Sequence, residues 1–304
     1  MNVQPLSIDK NTQLASLKRA LEARPGQYGV GMDSNAMKIL YMEKAREFKW
    51  GFFDPELKYG DAYEISKALN EQPAKNGGLI VAPVWVFADQ RDDYEALQKT
   101  LRTLAALVAK HPNKTGSRFK TIIIPIGAGD HTQISIDHNI LLVLQKHDYS
   151  FDSEWNAIIL DQLGENDFYA EVKEIIKLSL PPIFKKHVFE NNSQISESHN
   201  DCATVCSYLV NEIHDGKKAI DILSDWVEDD TFKGDGGFLN SADFGQKRLL
   251  ETHKADLDKL RAYYNNLQSR PQTFVSGAAV NRFEELKQRH GASGNNMQIN
   301  RYKR

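Results

Sequence analysis

Apolar positions in the first part of the chain recur mainly at helical spacing. Leu14, Leu17 and Leu21 fall on one face and the pattern stops before Pro25-Gly26, which predicts a first helix. Asp33 is placed to cap a second, carrying Met37, Leu40 and Tyr41. Residues 79–87, LIVAPVWVF, form a strand-like apolar run after Asn76-Gly77-Gly78. A long amphipathic helix follows, with Tyr94, Leu97, Leu101, Leu104 and Val108 on one side. The first 120 residues therefore read as helices with one strand, and the aromatic cluster over 48–53 reads as core or a helix end.

The middle changes period. TIIIPI (Thr121–Ile126), ILLVLQ (Ile140–Gln145) and WNAIILD (Trp155–Asp161) are β-branched apolar runs separated by polar turns. A helix around Glu171–Leu178 ends at Pro181-Pro182, and Phe184–Phe189 reads as a further strand. A polar loop, Glu190–Asp201, leads into the apolar helix CATVCSYLVNEI, which Cys202 opens. From Leu249 the pattern is helical until Pro271, and the last residues look poorly ordered. The expected organisation is a mainly helical region over 1–120, a catalytic core over 121–230, a helical C-terminal regulatory region over 231–290 and a flexible tail over 291–304.

Composition narrows the class. With 41% hydrophobic and 26% charged residues, the 304-residue chain can bury a full core. No apolar run is long enough to span a membrane, and MNVQPLSIDK does not read as a cleaved secretory signal. Two cysteines four residues apart make neither a disulfide framework nor a four-cysteine zinc site, so reduced thiols are expected. Charge is uneven: Gly245–Arg304 holds 12 Lys/Arg against 5 Asp/Glu, while the whole chain stands at −3. A basic end on an acidic protein suits a polyanion, and equally suits solvated helix faces and a loose tail. No nucleic-acid partner is expected.

The candidate chemistry lies in the core. A thiol is activated by a neighbouring imidazole or a helix N-terminus, and Cys202 sits where loop becomes helix. His138 precedes one strand and Asp161 ends the next. If the strands are neighbours, both side chains emerge at one sheet end, where the acid can orient the base. Gln194, in the loop before the cysteine, can offer an amide N–H to an oxyanion. Each has a plain alternative: a small core residue for Cys202, a strand-edge surface residue for His138, a turn-former for Asp161 and a loop residue for Gln194. The order His, acid, Gln, Cys is more specific than its members. His131, Asp137 and His138 lack a third metal ligand at convincing spacing, and no metal is expected.

On these residues the chain resembles the clan of ubiquitin-like-protein proteases and YopJ-type acetyltransferases (clan CE). The carrying features are IIIPI, His138 before an apolar strand, AIILDQLG, Gln194 and NDCATV. EIHDGKKAIDILSD, FGQKRL and VNRF resemble the C-terminal part of YopJ-type proteins. The resemblance implies an α+β papain-like/ubiquitin-like-protease fold, with a small central mixed sheet, a catalytic helix, and helical N- and C-terminal layers. It implies a bacterial effector, delivered into the host cell cytoplasm, that moves acetyl from acetyl-coenzyme A through Cys202 to Ser, Thr or Lys of a host signalling protein. It further implies activation by inositol hexakisphosphate, with Lys247 and Arg248 as contacts. A cysteine protease acting on ubiquitin or a ubiquitin-like protein, and an inactive scaffold of the same fold, are the alternatives. His131 is a rival base, Asn139 stands where proteases of the clan commonly have Trp, and Cys206 is expected to be buried and inert.

Overall fold

In the computed structural model the described residues are 6–22, 32–57, 62–70, 77–87, 91–110, 119–129, 138–146, 154–162, 167–191, 202–222 and 244–269. They divide between two compact units, Met1–Tyr264 and Asn265–Arg304. The first holds the sheet and the candidate site; the second is described only over 265–269.

Helix α1 (Lys10–Glu22) and α2 (Ser34–Phe48) lead into strand β1 (Gly51–Phe53). Asp33 caps α2 as expected, its carboxylate accepting from the backbone N–H groups of Asn35 and Ala36. The chain continues through α3 (Ala62–Asn70), β2 (Gly78–Val81), β3 (Val84–Phe87) and α4 (Arg91–Lys110). The 48–53 cluster lies at a helix end and in the core, as expected, and its last three residues add strand β1. The run 79–87 differs from the expectation: it is two strands broken at Ala82-Pro83. The first 120 residues thus supply three strands rather than one.

The core strands are β4 (Thr121–Gly129), β5 (His138–Lys146) and β6 (Trp155–Asp161). Then come α5 (Asp167–Ser179), a short α6 (Pro182–Lys185), β7 (His187–Glu190), α7 (Cys202–His214) and α8 (Phe244–Ser269). The run expected as one strand from Phe184 is a helical turn followed by β7. Pro182 sets the first helical φ and lacks the N–H that a strand would need.

All seven strands join one mixed sheet in the order β1-β2-β4-β5-β6-β7, with β3 also on β4. β4–β5 and β5–β6 are antiparallel and the other pairs are parallel. Pro125 lies centrally in β4, a place where a missing N–H is costly. It falls between the β2 ladder, which ends at Ile123, and the β3 ladder, which begins at Ile126. β4 therefore has no parallel partner at that point.

Alternate sheet residues, including Ile122, Ile124, Ile126, Ile140, Leu142 and Ile159, pack with Leu97, Leu101 and Leu104 of α4 and Ile176 of α5. On the opposite face lie α2, against β1 and β2, and α7, against β5. Both faces are covered, so the strands read as continuous apolar runs rather than alternating ones. This is the expected α+β arrangement, a mixed sheet with the Cys202 helix packed on it and helical layers around it. Among the described residues no helix is long and apolar enough to cross a membrane.

Candidate active site

His138 is the first residue of β5 and Asp161 the last of β6. The antiparallel register sets Ile140 opposite Asp161, so base and acid emerge at the same end of the sheet. His138 Nε2 lies 2.6 Å from Asp161 Oδ1. Cys202 opens α7 and hydrogen-bonds the His138 ring. The three residues placed together by sequence order meet in space.

Burial opposes a charged imidazole, but its hydrogen bonds to Asp161 and Cys202, with their negative charges, outweigh it and raise His138 to about 9. Burial likewise opposes the Cys202 thiolate. The bond and charge of His138, reinforced by Asn139, outweigh it and lower the thiol. Both directions favour a thiolate–imidazolium pair. The second thiol behaves oppositely: burial, then the charges of Cys202 and Asp161, push Cys206 well above the usual thiol range. Both causes favour the protonated thiol at Cys206, which is buried, as expected.

The acid is held in turn. Asn191, directly after β7, is fully buried. Its Oδ1 accepts from the Asp161 backbone N–H at 2.8 Å and its Nδ2 donates to the Asp161 carbonyl at 2.6 Å. Lys173 of α5, also buried, brings Nζ to 3.5 Å from Asp161 Oδ2. With His138 on one oxygen and Lys173 on the other, the carboxylate is fixed at both ends. Neither partner was found from sequence: Asn191 is one of many polar loop residues, and Lys173 lies on a helix whose distance from Asp161 only the fold sets.

A third missed residue lies on the sheet face that carries Asn139. Trp85 of β3 lies across Gly127 of β4, where a Cβ would fall 1.7 Å from the ring. Gly127 is the cross-strand partner of Asn139, and directly opposed residues project to the same sheet face. The indole therefore walls the face on which the Asn139 side chain reaches Cys202.

Gln194 and the rival base His131 lie outside the described residues. Lys247 and Arg248 fall in the first turns of α8, with side chains outside the described set. Among the described residues no group of three His, Cys, Asp or Glu could hold a metal ion.

No family model matches the chain, and no curated protein matches it. Among solved structures it is similar to a de-sumoylating protease at 14% identity, covering 92% of this chain and 90% of that one, with a TM-score of 0.41. It is also similar to the Legionella pneumophila effector RavZ at 14% identity, covering 80% and 68%, with a TM-score of 0.36. A third is the Rickettsia bellii effector RickCE at 13% identity, covering 88% of each chain, with a TM-score of 0.33.

Proposed function

We propose that this chain is a cysteine-dependent acyl-transfer enzyme. The observation that carries the reading is the buried His138, held by Asp161 at 2.6 Å and hydrogen-bonded to the thiol at the head of α7. The Cys202 thiolate attacks a carbonyl carbon, and the imidazolium gives its proton to the departing group as the thioester forms. His138 then takes a proton from the acceptor, which attacks the thioester, and the sulfur leaves as thiolate. Asp161 keeps the ring oriented throughout.

The donor we assign first is acetyl-coenzyme A, with a Ser, Thr or Lys of a host protein as acceptor. This assignment, with inositol hexakisphosphate as activator at the basic C-terminal part (Lys247 and Arg248) and delivery into a host cell, is supported by the YopJ-type resemblance and the charge distribution. A second reading, a protease for the C-terminal end of a ubiquitin-like protein, is favoured by Trp85. Its indole covers Gly127, on the sheet face from which Asn139 reaches the sulfur, and a bulky ring there suits a slim, extended glycine-ended peptide better than one with bulky side chains.

Intact-mass spectrometry tests these readings on the full chain. The protein is mixed with acetyl-coenzyme A, with and without inositol hexakisphosphate, and separately with a ubiquitin-like-protein C-terminal electrophile. An acetyl adduct absent from Cys202→Ala supports the transferase. Labelling by the electrophile alone overturns the transferase and supports the protease. Cys202 is only 3% exposed, and no adduct in either arm would support a scaffold of this fold.

A further inference from the structure

The residue after the base is Asn139, second in β5 and 4% exposed. Its side-chain Nδ2 lies 3.4 Å from Cys202 Sγ and donates to it. Its backbone carbonyl accepts the Cys206 thiol at 3.5 Å. The two cysteines are one helical turn apart, so both sulfurs of α7 engage the same residue of β5 from one helix face. The Asn139 Oδ1 is buried and accepts no hydrogen bond among the described residues. Space-filling alone does not explain an amide here: Leu141 and Val143, on the same side of β5, are fully buried apolar residues, and burying a half-satisfied amide is unfavourable.

We propose that Asn139 is a catalytic residue, its amide N–H a permanent donor to the Cys202 sulfur. This deepens the acyl-transfer reading and rests on it. His138 donates to the sulfur only while it holds its proton, which it passes to the departing group and regains from the acceptor. The amide does not titrate, so its N–H is present when the resting thiolate forms and when the thioester releases the sulfur again. No covalent bond is made or broken at Asn139; it stabilises negative charge on sulfur against the neutral thiol. Among the described residues, the other titratable groups that act electrostatically with the sulfur are His138 from the sheet, Cys206 from α7 and Tyr41 from α2, and Asp161 acts through His138. Of these side chains, Asn139 and His138 are the two that favour the thiolate by hydrogen bonding.

The test is a pH titration of thiolate ultraviolet absorbance on the full chain, with Cys202→Ser subtracting Cys206, the one other cysteine. Asn139→Leu should raise the Cys202 pKa by about one unit, the loss expected for a hydrogen bond to a charged group. Asn139→Asp, which replaces the donor by a like charge at nearly the same shape, should raise it further. The Asp variant carries the test if the Leu variant fails to fold by circular dichroism. Folded variants with the wild-type thiol pKa would overturn the proposal, because a merely structural Asn139 would leave the titration in place. If wild-type Cys202 itself titrates as an ordinary thiol, the nucleophile reading fails and the role of Asn139 falls with it.

Discussion

Gly127→Ala adds one methyl group beside the candidate site, and its consequence can be worked from distances. The new Cβ would fall 1.7 Å from Trp85 Cζ3, 1.9 Å from Cε3 and 2.9 Å from Cη2, whereas ordinary contact begins at 3.4 Å. The indole must retreat by about 1.7 Å (3.4 less 1.7) or β3 must separate from β4. Gly127 has no positive φ, so the ring alone excludes the side chain. Forcing a group into a filled space costs about 1–3 kcal/mol. The assay is urea unfolding of four proteins: wild type, Gly127→Ala, Trp85→Ala and the double variant. Without the indole, Gly127→Ala should be neutral or stabilise by roughly 0.5 kcal/mol, since alanine costs less than glycine to order in a strand. The double-mutant cycle should therefore show a coupling of about 2 kcal/mol between the two positions. Additive effects would refute the reasoning, as would a Gly127→Ala chain as stable as wild type.

Three further outcomes are expected. His138 holds its proton up to about 9, so acyl transfer should lose activity on the alkaline side as pH rises through that value. In Asp161→Asn the imidazolium loses its ion pair, and this alkaline limb should move toward neutrality; a limb that stays in place contradicts the assigned role. Asn191→Leu removes both side-chain hydrogen bonds to the Asp161 backbone in the core, for a loss of about 1–3 kcal/mol per bond in urea unfolding together with reduced activity. Lys44 of α2 lies 3.0 Å from Asp256 of α8, both buried, and donates to Asn211 of α7 at 2.7 Å, while Ser207 of α7 bonds the same aspartate. Lys44→Met leaves that carboxylate buried without its cation and should cost about 3–5 kcal/mol. Adding Asp256→Leu should recover most of the loss in the same unfolding assay; no recovery would mean the charge pair is not the cause.

The sequence by itself determined many of the local elements and pointed to the three residues of the candidate triad. Asp33 next to an apolar period marks a cap, β-branched runs between polar turns mark strands, and Trp155–Asp161 forms a strand with the expected bounds. His138, Asp161 and Cys202 were legible because each stands at the end of an element, where a side chain can leave the sheet or head a helix. Short segments were less legible. Three residues at 51–53 are too few to show a period, and the break at Ala82-Pro83 shows only once β4 is seen to accept two successive partners.

Tertiary structure alone decided what surrounds the triad. Asn191 lies 30 residues from Asp161 and Asn139 lies 63 from Cys202, and no local pattern links such pairs. Trp85 meets Gly127 because parallel pairing lays β3 on the far end of β4. Spacing along the chain sets which side a residue faces within its own element. Which residue it then meets depends on strand register and helix packing, and these arise from the sum of apolar contacts over the whole core.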